Sequence, residues 1–149
     1  MSRRSWKAGN WGHGRSGRAR VLVENADGAE QWACEGILGR AGYEVAVCGG
    51  PDAHGAPCPL VERGECDLAA GADVIVNGFR LAEPRNQDVI RALRAHRPGT
   101  PLVVEAAVQE IERHADVLQG CTVASFPMTT AGLLEEVGEA LAEGTARPS

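Results

Sequence analysis

The run from Asp73 to Phe79, DVIVNGF, limits the architecture of this sequence more than any other stretch. Val74-Ile75-Val76 is wholly apolar, too short for a helix and bounded by turn formers, the pattern of a strand at the centre of a parallel sheet with both faces covered. The strand ends at a polar residue, Asn77, and Gly78 leads out of it. Open α/β sheets carry their sites at the carboxyl ends of their strands, so chemistry is expected near Asn77.

The rest of the chain repeats that unit. Val21-Leu22-Val23 is a short apolar strand ending in a polar loop, Glu24 to Gly28, in which Asn25 or Asp27 can cap a helix over about Ala29 to Arg40. Cys34, Ile37, Leu38 and Ala41 fall at helical spacing on that helix, which makes Cys34 a core residue rather than a ligand. Ala41-Gly42 ends it, and Tyr43 to Val47 alternates into a second strand. Pro84 starts a helix with Val89, Ile90 and Leu93 as its stripe, and Pro98-Gly99 stops it. Leu102-Val103-Val104 is a fourth strand. Ala107 to Leu118 reads as a helix buried through Val108, Ile111, Ala115 and Leu118. Cys121 to Ser125 is a fifth strand, and Thr129 or Thr130 caps a last helix to about Ala142. Five β-α units in one domain imply a doubly wound, flavodoxin-like parallel sheet of order 2-1-3-4-5 with helices on both faces.

Composition narrows the class. At 149 residues the chain fits one domain able to bury roughly 70% of its unfolded surface. It holds no apolar run long enough to span a membrane and no signal-peptide pattern, so a cytoplasmic protein is expected. The first 20 residues carry six Lys or Arg and no acid, whereas the other 129 hold nine bases and twenty acids. Residues 1–19 read as a disordered basic tail, 20–143 as the domain, and 144–149 as a C-terminal tail. The acidic body argues against nucleic-acid binding by the folded part, although Arg with interleaved Trp in the tail has the chemistry to stack on bases.

Taken together, RVLVENADG, GILGRAGYEVAV, GADVIVNGFRLAEPRNQDVIRALRAHRPGTPLVVEAA and FPMTTAGLLEEV resemble the receiver domain of two-component response regulators over residues 20–143. The resemblance implies an acid pair after the first strand that holds Mg²⁺, a phosphoaccepting Asp after the third, Thr or Ser after the fourth and Lys-Pro after the fifth. Here the acid pair falls on Glu24-Asn25, with Asp27 as a stand-in two residues on. Asn77 occupies the phosphoacceptor position, Ala106 the hydroxyl position, with Glu105 one residue away, and Phe126 the lysine position before Pro127. A neutral amide is neither a useful nucleophile nor a strong Mg²⁺ ligand, and no cation is left to neutralise a phosphoryl group. Asn77-Gly78 is also a deamidation-prone pair, which would create an Asp there.

Between the second strand and Asn77 the chain carries a Cys-rich insertion, residues 48–66, with Cys48, His54, Cys58 and Cys66 among four Gly and three Pro. So much Gly and Pro forbids a long helix, leaving a turn or two within Leu60 to Ala70. Three readings stay open. The four side chains offer the N/S ligands that Zn²⁺ takes, two of the thiols offer a reversible disulfide, or all three cysteines pack as small hydrophobes. An iron–sulfur cluster would need a fourth thiolate, and Cys121 is remote in sequence. His96 and His114 read as solvated, and no catalytic triad, P-loop or dinucleotide fingerprint is present.

The expectation is therefore a stand-alone, receiver-like signalling module, not an enzyme, that acts by protein–protein contact without aspartyl phosphorylation. Its implied contact surface, for a protein partner or a second copy, is the face of the fourth helix, fifth strand and fifth helix of the receiver pattern, about Ala107 to Leu141. The alternative is a metal or thiol-redox sensor using the Cys48 to Cys66 loop.

Overall fold

The computed structural model describes Trp11, Gly14 and residues 16–146. Five parallel strands, β1 (Arg20–Glu24), β2 (Glu44–Cys48), β3 (Val74–Asn77), β4 (Leu102–Ala106) and β5 (Thr122–Ser125), form one sheet of order β2-β1-β3-β4-β5, as the sequence implies. The registers align strand ends: Glu24 stands beside Cys48 on one side and Asn77 on the other, and Asn77 stands beside Val104. Every residue of β1 and β3 is buried, whereas Thr122 and Ser125 at the two ends of the edge strand β5 are exposed.

Alternation along the strands sends side chains to two separate cores. Val21, Val23, Val74, Val76 and Val103 meet α1 (Gly28–Arg40) and α7 (Thr130–Ala146) through Leu38, Leu133 and Val137. Leu22, Ile75 and Val104 face the other layer, made of α2 (Gly50–His54), α3 (Pro59–Arg63), α4 (Asp67–Gly71), α5 (Pro84–His96) and α6 (Val108–Arg113). Ile90 and Val89 on α5 are completely enclosed there, each such side chain contributing about 1.5–3 kcal/mol. Asp27 caps α1 by accepting from the Glu30 N–H at 3.0 Å, and Glu83 caps α5 ahead of Pro84.

Three expectations change. The helix expected from Ala107 to Leu118 is regular only over Val108–Arg113, and turns follow it to Gly120. Of the expected stripe, Ile111 packs against the core and Leu118 is buried, joined by Val117, while Val108 is exposed; the break at His114 ends the helical periodicity between Ile111 and Val117. The last helix runs to Ala146, so the C-terminal tail begins later than residue 144. The expected basic tail lies mostly outside the described residues, but Trp11 packs against the domain: its Nε1 donates to the Leu68 carbonyl at 3.0 Å and its ring lies under the Arg20 guanidinium.

Candidate functional site

The carboxyl ends of β1, β3 and β4 converge on two layers of polar side chains. Glu24 and Asn77 point into the core that holds α2 to α6. Asn77 Nδ2 donates to Glu24 Oε1 at 3.0 Å, and Asn77 Oδ1 accepts from the Phe79 N–H at 3.3 Å. Asn77 is fully enclosed and Glu24 nearly so. Burial pushes the Glu24 carboxyl up to about 7, and the bond from Asn77 pulls only partly the other way. Cys58 and Cys66, which cap α3 and α4, lie close enough for the charge of Glu24 to raise their thiols further, beyond the larger effect of burial.

Asn25, Glu30 and Glu105 lie on the opposite side, toward α1 and α7. Asn25 Nδ2 donates to Glu30 Oε2 at 2.8 Å, its Oδ1 accepts from the Asp27 N–H at 2.9 Å, and Gln31 Nε2 donates to its carbonyl. Glu105 Oε2 accepts from the Met128 N–H at 2.8 Å, just past the cis Phe126-Pro127 bond. Burial raises the Glu105 carboxyl, the Met128 bond lowers it, and Glu30 raises it. Gly78 separates these groups: a Cβ there would come within 2.8 Å of Asn25 Nδ2. The Gly78 N–H donates to the Glu24 carbonyl at 2.7 Å.

The structure thus brings Glu24 and Asn77 together, turns Asn25 to the other side of the sheet beside Glu30, and sets the other expected site residues apart. Asp27 is exposed, and its Oδ1 accepts the Glu30 N–H as the cap of α1. Ala106 is buried in the α2–α6 core, and the neighbouring Glu105 faces the other layer. Phe126 is exposed. Glu30 went unrecognised in the sequence, although its place three residues after Asp27 is the capping-box spacing; here it reaches back to Asn25 instead of the cap N–H.

Mg²⁺ does not fit this arrangement. Glu24 is buried against an amide, Asp27 is a cap, and among the described residues no three His, Cys, Asp or Glu side chains form a group able to hold a metal ion. The same finding applies to the Cys-rich insertion. Cys48 ends β2, His54 lies in the last turn of α2, and Cys58 and Cys66 start α3 and α4. Cys48 and Cys58 are buried in the apolar core, and Cys66, partly buried, packs against it. Three short helices make up most of the insertion and the segment after it, and they are packed down through the buried Leu60 and Leu68.

No protein-family model and no curated protein matches the sequence. Solved structures do match in fold. A CheY-like response regulator receiver domain protein from Methanospirillum hungatei superposes with a TM-score of 0.65 at 19% identity, over 86% of this chain and 97% of that one. A response regulator receiver domain protein from Clostridium thermocellum gives a TM-score of 0.65 at 14% identity, over 85% and 97%. The receiver domain of NtrX from Brucella abortus gives 0.60 at 17% identity, over 82% and 98%. Strand order, the two helical layers and these superpositions agree: the chain has the fold of response-regulator receiver domains.

Proposed function

We propose that this chain is a receiver-fold signalling module that acts through protein contacts and takes no phosphoryl group. One observation carries the reading: the amide of Asn77, at the phosphoacceptor position, is enclosed and uses both of its polar atoms, on Glu24 and on the Phe79 N–H. An amide so engaged offers no nucleophile, and its titratable neighbours Glu24, Glu30 and Glu105 are carboxyl groups where a phosphoryl group requires cations. Contact through α6, β5 and α7 is supported by two exposed large apolar side chains, Val108 at the start of α6 and Phe126 just past the edge strand β5.

Incubation with acetyl phosphate and Mg²⁺, followed by intact mass analysis, tests the reading. The mass stays that of the unmodified chain. An acid-stable, hydroxylamine-labile phosphoryl adduct on Asp27 or any other carboxylate overturns it.

A further inference from the structure

At the amino ends of β4 and β5, the end of the sheet opposite to Glu24, a cavity of about 160 Å³ opens between the end of α5, the start of β5 and the last turns of α7. Its floor is apolar, made by the buried Ile75, Leu93 and Leu102. Its polar lining is dominated by two guanidinium groups on the last turn of α5 and just beyond it. Arg97 donates from Nη2 to the Ala70 carbonyl at 3.3 Å, and its Nε is buried without a hydrogen-bond partner. Arg94 forms no ion pair among the described residues and lies against Gly120. That residue has φ +83°, and a Cβ there would come within 2.4 Å of Arg94 Nη2, so the backbone leaves the room that the guanidinium fills. Glu143 also lines the cavity but bonds neither arginine among the described residues, leaving a net positive site.

We propose that this cavity binds a small organic monocarboxylate. A guanidinium fork matches the two oxygens of a carboxylate, two such groups line the cavity, and the Nε–H of Arg97, without a hydrogen-bond partner, supplies a donor that already lies out of water. The volume suits a ring-sized body, since a dry cavity of about 150 Å³ accommodates benzene. Ile75, Leu93 and Leu102 give that body an apolar seat, which a bare inorganic oxyanion would leave unused.

Benzoate is the probe, titrated against the full chain labelled with ¹⁵N. The expected result is saturable shifts of the Gly120, Cys121 and Thr122 amides, weaker binding of inorganic phosphate and none of benzyl alcohol. Arg94→Gln weakens benzoate binding by at least about tenfold, the loss of a charge-assisted hydrogen bond, and Glu143→Gln tightens it by about two- to fivefold through removal of a like charge. Arg94 is exposed, and an unchanged amide spectrum verifies that its variant folds; Arg97→Gln provides the same reading from the second fork. Shifts that do not saturate, phosphate binding as tight as benzoate, or benzoate affinity unchanged in both arginine variants overturns the proposal.

Discussion

The side-chain amide of Asn77 donates to the carboxyl of Glu24 across 3.0 Å, between neighbouring strand ends that are both closed to solvent. A carboxyl in that setting holds its proton well into the neutral range, because ionisation would place a charge where water cannot reach it and only one amide answers it.

Stability should therefore fall as pH rises. Glu24 shifts from 4.5 in the unfolded chain to about 7 in the fold. Between those values the native state keeps a proton that the unfolded chain has released, so the contribution is complete below pH 4.5, declines up to about 7 and is lost above it. Glu24→Gln retains an acceptor for Asn77 without the charge. It should match the parent near pH 4.5 and exceed it by about 3 kcal/mol at pH 8, read from urea unfolding at each pH.

Asn77→Asp places a second carboxyl against Glu24. Two enclosed carboxyls at this distance share one proton, and full ionisation is strongly opposed. The variant should lose more than about 2 kcal/mol at pH 8 and distinctly less at pH 5, measured by the same unfolding series. A variant equally stable at both values would show that the pair is hydrated.

Intact Asn77 should persist despite the Gly that follows it. Deamidation requires the Gly78 nitrogen to attack the Asn77 side chain, but that N–H is bonded to the Glu24 carbonyl at 2.7 Å and the side chain is held at both ends. Peptide mass spectrometry after long incubation should find Asn in the native protein and Asp only in a denatured control.

Sequence pattern and structure agree where side-chain periodicity alone decides. The strands, their order and the long helices α1, α5 and α7 follow from apolar runs, Pro84 and the capping residues, since burying those faces allows few arrangements. The turns expected within Leu60 to Ala70 are α3 and α4, but α2 and the break after Arg113 leave no such mark, because five or six residues hold too few periods to show a stripe. Within the site, Glu24, Asn25 and Asn77 were found through strand ends. The roles of Asp27, Glu30 and Glu105 depend on which side of the sheet each carboxylate turns to, a choice set by hydrogen bonds that spacing does not encode.

The cysteines of the insertion should behave as buried hydrophobes. Burial raises both the Cys58 and Cys66 thiols, which disfavours the reactive thiolate. Under native conditions Cys48 and Cys58 should react slowly with a thiol reagent, all five becoming accessible in guanidinium, and zinc should not survive dialysis. Stoichiometric zinc that is lost in Cys58→Ser would restore the metal reading.

Gly50→Ala should be the most damaging small substitution in that segment. Gly50 has φ +76°, and a Cβ would sit 2.4 Å from the Phe79 ring, which is itself buried beside Asn77. Left-handed strain and overpacking together should cost about 3 kcal/mol, visible as a lower midpoint in urea.

The contact of Trp11 with the Leu68 carbonyl has a practical bearing on where this domain starts. A chain trimmed to Ala19 would keep every strand and helix, yet it would leave that carbonyl and the bare backbone at Gly71 without their aromatic cover. The effective edge of the folding unit is an indole ring nine residues ahead of the first strand, and expression boundaries drawn from strand positions alone would cut it away.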